Sequence, residues 1–237
     1  MPEILELDSE RPDHPVTNSA STSRSSLFDR CWRQYALFRE HLFTDHAQQI
    51  ATAIQPMLNG PDQRSLIEAG CGPGFYSRRL AARFPQLQVT GIDLSSPLLD
   101  WAQDRARRSG LDNCRFLKAD ALSLAERPNQ ADAVVASRFF LILTQPVIAL
   151  QAIFTVLRPG GICFIAEPTS TFRVALPLLF MKATERLGSS VVSAECLPRS
   201  RVFSRNEFEG LVESQPWRSI RIWSDRQYQC AVCKKSA

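Results

Sequence analysis

The chain has 237 residues, 44% of them hydrophobic and 22% charged, values that suit one globular domain with a sizeable core. No apolar run approaches the roughly 18 residues of a membrane span; the best, Phe139 to Leu143, is cut by Thr144-Gln145-Pro146. The net charge of +4 is mild and the arginines are spread over separate segments, which speaks for a solvated surface and against a nucleic-acid-binding patch.

Seven cysteines are scattered without a framework. Their odd number and the lack of a signal peptide indicate reduced thiols in a cytoplasmic setting. Cys230 and Cys233 lie in a strand-like run, and residues three apart on a strand point to opposite faces. Two thiols so placed cannot grip one metal, so no metal site is expected.

Residues 1–25 are rich in Ser, Thr, Asp, Glu and Pro without hydrophobic periodicity, and read as a disordered leader. Glu3, Glu6, Asp8, Glu10 and Asp13 make it too acidic for a transit peptide. Residues 26–60 read as a helical lid. From Leu27 to Phe43 the apolar and aromatic residues, Trp32, Tyr35 and Phe38 among them, recur at spacings of three and four. A second helix opens at Thr44 or Asp45, runs through Ile50, Ile54 and Met57, and ends at Asn59-Gly60-Pro61.

The stretch SLIEAGCGPGFYSRRL, Ser65 to Leu80, organises the rest of the chain. Its apolar start reads as a buried strand and the run from Tyr76 as a helix start. Between them stand Gly70, Gly72 and Gly74, where main chain bends sharply and can lie against a ligand. No glycine completes the G-x-G-x-x-G spacing of a nicotinamide-binding turn, and no Gly-Lys-Ser/Thr triplet makes a P-loop. Glu68, two places before the first glycine, would repel a pyrophosphate and favour a cation. S-adenosylmethionine carries a sulfonium and an ammonium and no phosphate, so the acidic turn fits it on charge grounds.

The first helix after the turn stops at Pro85, and a second strand, Leu87 to Ile92, delivers Asp93 at its end. An acid some 20 residues beyond a glycine turn is placed to hold a ribose diol. The next helix has Ser96 as N-cap, Pro97 at its first place and Gly110 past its end. A third strand, Cys114 to Ala119, ends in Asp120-Ala121. Asp132 to Ala136 is a fourth, buried strand from which Ser137, Arg138 and Phe139 emerge. A helix opens at Pro146, Arg158-Pro159-Gly160-Gly161 turns into a fifth strand, Ile162 to Ala166, and Glu167-Pro168 closes it. An insertion at about 168–203 carries an apolar helix, Phe172 to Leu187. Ser204-x-x-Glu207 is a capping box opening the last helix, and strands Ser219 to Trp223 and Tyr228 to Val232 form a final hairpin. The reading is an α/β fold: a doubly wound, seven-stranded, mostly parallel sheet with an antiparallel C-terminal hairpin.

Glu68-x-Gly70-x-Gly72-x-Gly74, Asp93, Asp120 and the Leu157-Arg-Pro-Gly-Gly element together resemble the class I S-adenosylmethionine-dependent methyltransferases, over about Ser65 to Lys235. The resemblance implies a Rossmann-like methyltransferase domain over 61–237 with S-adenosylmethionine as cofactor. It would be held by Glu68, Gly70, Cys71, Gly72 and Gly74, by Asp93 and Leu94, by Asp120 and the Ala121 amide at the adenine, and by Ser137. The Asn/Asp-Pro-Pro-Tyr/Phe element that methyltransferases of nucleic-acid or glutamine amines carry after strand four is absent; Ser137-Arg138-Phe139-Phe140 stands there. This implies a small-molecule acceptor, aromatic or lipid-like, over a nucleic acid. His41, His46, Tyr35 and Glu167 are the candidate bases, and Arg138 suits pairing with an acidic acceptor group; His41, Tyr35 and Arg138 are taken as the catalytic set. The alternatives are an RNA or protein methyltransferase and a non-catalytic S-adenosylmethionine-binding scaffold.

Overall fold

The computed structural model describes residues 31–41, 43–59, 62–170, 201–224 and 227–237. The leader at 1–25, the start of the first lid helix and nearly all of the insertion lie outside them.

Helices α1 (Trp32–His41) and α2 (Ala47–Ile54) precede the sheet, and α2 continues as a short 3-10 turn, Gln55–Asn59. Strands β1 (Arg64–Ala69), β2 (Leu87–Asp93) and β3 (Cys114–Lys118) then alternate with α3 (Phe75–Arg83) and α4 (Ser96–Arg108). After β4 (Ala131–Ser137) come α5 (Pro146–Val156) and β5 (Leu157–Pro168), and α6 (Arg205–Glu213), β6 (Ser219–Ser224) and β7 (Tyr228–Lys234) complete the chain. The sheet order is β3-β2-β1-β4-β5-β7-β6, with β7 antiparallel to both its neighbours and the other pairs parallel. The order reverses between β1 and β4, so the carboxyl ends of those strands flank a crevice, the usual ligand position in such sheets.

Two apolar layers cover the sheet. On one face α2, α3 and α4 pack through Ile50, Ile54, Leu80 and Ala106 against Leu66, Val89, Val135 and Phe164. On the other, Leu150, Ile153, Phe208 and Leu211 of α5 and α6 meet Val134, Cys163 and Ile165. Cys230 belongs to the first layer and Cys233 to the second, as strand alternation requires. No metal-holding cluster of His, Cys, Asp and Glu occurs among the described residues. No described helix is long and apolar enough to cross a membrane.

Three local expectations shift. The Arg158-Pro-Gly-Gly segment is part of β5, not a turn before it: Leu157 already pairs with Ala131, and the ladder slips between Ala131 and Ala133 to absorb the glycines. The cap of α4 is Ser95, one residue early, with Pro97 in the first turn. Helix α2 begins at Ala47, with His46 as its N-cap residue. The capping box at Ser204 and Glu207 is present in both halves.

Polar contacts fasten the lid helices to α3. Arg78 pairs with Glu40, Arg79 with Asp45 at 2.6 Å, and Arg83 donates to Gln48 at 2.6 Å. Arg39 lies buried with its guanidinium 4.2 Å from the Phe75 ring and 4.4 Å from the Tyr76 ring, so the first turn of α3 and the last of α1 form one packed unit.

Candidate active site

Gly70, Gly72 and Gly74 all take left-handed backbone angles, with φ of +64°, +52° and +69°. L side chains are strained there, and neighbours close each place as well. A Cβ on Gly70 would lie 2.7 Å from the Phe139 ring, one on Gly74 2.4 Å from Phe116, and one on Gly72 3.2 Å from Tyr35. The turn is a cradle of bare main chain bounded by aromatic rings. Cys71 inside it is 3% exposed, and burial pushes its thiol well up, which keeps it protonated.

Asp93 connects β2 to this turn. Its Oδ2 accepts the Gly72 N–H at 2.8 Å and its Oδ1 the Ser95 N–H at 2.9 Å. The half-buried carboxylate thus stands at the lip of the glycine cradle. Next to it Leu94 is 63% exposed, an apolar side chain held in solvent at the tip of the strand. Past β3, Asp120 is exposed and caps a 3-10 turn, Ala121–Glu126, by accepting the Leu122 N–H at 2.9 Å. Ala121 is buried beneath it.

Glu68 has a task within the fold itself. Its carboxylate is 3% exposed, and Oε2 accepts both the N–H and the hydroxyl of Ser77, at 2.7 and 2.6 Å. Helix α3 starts on Gly74, which has no side chain to cap it; Glu68 supplies the missing cap from the strand. Burial raises its pKa, opposed by the Ser77 bonds and by Arg39. The acid works inside the fold, and the signal was present in the sequence: Glu68 shares a strand face with Leu66, which packs under the helices.

The catalytic candidates separate. His41 is exposed at the end of α1, so the fold leaves it in solvent, whereas His46 is fully buried. The Nδ1 of His46 lies 3.0 Å from the Tyr76 hydroxyl, and its ring meets Tyr228 edge-on at 4.7 Å. Tyr35 lies over Gly72. Enclosure pushes its phenol up, opposed by Arg138 and Arg39, so it holds its proton at neutral pH. Burial likewise raises Tyr76, against Arg39 and hydrogen bonds to His46 and Ser137. Tyr76 and Tyr228 carried no mark in the sequence, because ordinary aromatic spacing hides their hydroxyls.

At the end of β4, Arg138 has a φ of +54°, rare for a residue with a side chain. Its guanidinium lies 4.1 Å from the Phe43 ring and donates to the Tyr228 hydroxyl at 3.3 Å. The following N–H groups, of Phe139 and Phe140, both donate to Glu167 Oε1, at 2.9 and 2.8 Å. Glu167 is fully buried, its Oε2 has no hydrogen-bond partner among the described residues, and burial pushes its pKa up to about 7.

Sheet order, glycine cradle and strand-end acids define the class I S-adenosylmethionine-dependent methyltransferase fold. Residues 66–161 match the family described as the methyltransferase domain. It is 26% identical to trans-aconitate 2-methyltransferase of Paracidovorax citrulli over 67% of this chain and 59% of that protein. To the malonyl-[acyl-carrier protein] O-methyltransferase of Brevibacillus brevis it is 28% identical over 60% of this chain and 50% of the other. The chain thus spans little more than half the length of these relatives. Among solved structures the CurJ carbon methyltransferase superposes with a TM-score of 0.67 at 14% identity, covering 90% of this chain and 62% of that one, a likeness of fold alone.

Proposed function

We propose that this protein transfers the methyl group of S-adenosylmethionine to a small organic acceptor. The observation that carries the reading is the Asp93 carboxylate bonded to the Gly72 amide, which brings the strand-end acid and the glycine cradle together at one lip. Asp93 would take the ribose hydroxyls, Leu94 an apolar face of the adenine, and Asp120 with the Ala121 amide its polar edge. Main chain at Gly70, Cys71 and Gly72, with Ser137 nearby, would hold the amino-acid end, where an added Cβ would crowd the neighbouring rings. The bound cofactor supplies a methyl carbon on a positively charged sulfur, open to in-line displacement.

The chain's own part is to place the acceptor and keep water out. Tyr35 over Gly72 and the Phe139 ring against Gly70 close the cradle. His46, buried against Tyr76 and Tyr228, would move a proton in preference to the exposed His41; the contacts to the two phenols support the choice. The small acceptor follows from the missing amine-methylating element after β4 and from relatives named for trans-aconitate and malonyl-[acyl-carrier protein].

Calorimetry with S-adenosylmethionine, S-adenosylhomocysteine, NAD and FAD tests the cofactor half, and labelled methyl transfer to a metabolite panel tests the other. Tight uptake of NAD with silence toward both sulfur compounds would overturn the reading. Cofactor binding with no S-adenosylhomocysteine released on any acceptor would favour a binding scaffold.

A further inference from the structure

We propose that Arg138 is the acceptor's recognition residue and that the acceptor is a carboxylic acid, its carboxylate received by the Arg138 guanidinium beside the Tyr228 hydroxyl. This rests on the methyl-transfer reading and names the substrate class for that site.

The backbone argues first. A left-handed angle at a residue with a side chain is strained and persists only where the surroundings impose it. Here they do: Arg138 N–H donates to Ala166 O at 2.9 Å, and the next two N–H groups are taken by Glu167 Oε1. Consecutive amides are tied to β5, and the side chain is thrown out at the carboxyl edge of the sheet. Glu167 is thus a positioning residue for Arg138.

Charge argues second. Arg64, Arg78 and Arg158, half-buried like Arg138, each pair with a carboxylate: Arg64 and Arg158 with Asp132, Arg78 with Glu40. Among the described residues no carboxylate comes within ion-pair distance of Arg138; its contacts are a phenol and the Phe43 ring. Glu167 feels its charge, yet its one bonded oxygen serves the two amides. A half-buried guanidinium with no paired carboxylate among the described residues, 4.1 Å from a ring, is a receptor for a planar anion.

Position argues third. Asp93 and Asp120 put the adenosine end over β2 and β3, on one side of β1. Arg138 leaves β4 on the other side and leans to Tyr228, at the start of β7 beyond β5, away from that end. Two anions can reach this edge, the cofactor's own carboxylate and one on the acceptor; the proposed cradle of main chain at Gly70, Cys71 and Gly72 takes the first, and Arg138 is assigned the second, which is why S-adenosylhomocysteine affinity is read in the same variants.

The test is calorimetry on the S-adenosylhomocysteine-loaded protein with benzoate, cinnamate, decanoate and adipate, each against its primary amide. At least one acid is expected to bind about ten-fold tighter than its amide, with Arg138→Gln erasing the preference and Arg138→Lys keeping part of it. Affinity for S-adenosylhomocysteine should change less than about three-fold in either variant, which also reports that both are folded. Acids and amides binding alike, a preference surviving in Arg138→Gln, or a loss of S-adenosylhomocysteine affinity in its place would overturn the proposal. The methyl-transfer reading fails separately, if acids bind through Arg138 yet no labelled methyl reaches them.

Discussion

Glu68 Oε2 holds the N–H and the hydroxyl of Ser77, nine residues on, and so caps a helix whose own cap position is a glycine. Ser77→Ala removes one donor and should cost about 1 kcal/mol, whereas Glu68→Ala strands a buried amide and should cost about 2 to 3 kcal/mol. Urea unfolding at neutral pH compares them. Equal losses would mean that the carboxylate does not act as the cap.

Gly74 and Gly110 share a left-handed φ, +69° and +64°, but differ in surroundings: a Cβ at Gly74 meets Phe116 at 2.4 Å, and one at Gly110 meets nothing within 4 Å. Gly110→Ala should therefore cost only the backbone strain, about 1 to 2 kcal/mol. Gly74→Ala adds overpacking, roughly 1 to 3 kcal/mol more, and should weaken cofactor binding as well. Thermal melts and calorimetry on both variants check the ordering.

Asp93 serves two amides, Gly72 and Ser95, in addition to its proposed ribose contact. Asp93→Asn keeps an acceptor for one amide but loses the charge. S-adenosylhomocysteine affinity should fall by about 1.5 to 3 kcal/mol, the worth of a charged hydrogen bond, with a smaller change in melting temperature. Unchanged affinity in calorimetry would remove the ribose assignment.

Glu167 makes stability depend on pH. Its pKa rises from the ordinary carboxylate range to about 7 through burial, which outweighs the Phe140 and Phe139 amides and Arg138. The native state holds the proton where the unfolded chain has lost it, so stability is fullest below about pH 4.5 and declines until pH 7. The loss is on the order of 3 kcal/mol. Glu167→Gln, which cannot ionise, should flatten that decline in urea titrations at pH 5, 6, 7 and 8. A variant as steep as the parent between pH 5 and 7 would show that another group is responsible.

The order of elements, the doubly wound sheet and the glycine cradle were legible in the sequence because their signals are local: alternating apolar residues, caps, and glycines where main chain must bend. Asp93 was legible for the same reason, by its distance from the glycines. What the side chains do depends on partners far along the chain. That Glu68 caps α3 shows only once packing sets its carboxylate against Ser77. His41 and His46 were equivalent on paper, and only the packing of α2 against Tyr76, 30 residues away, buried one and left the other in solvent. Arg138 was visible as a cation after β4, but its left-handed backbone and its phenol partner 90 residues on came from β5 and β7 closing around it. Periodicity specifies which face a residue occupies; which groups meet across that face, and with what charge left over, is decided when the layers pack.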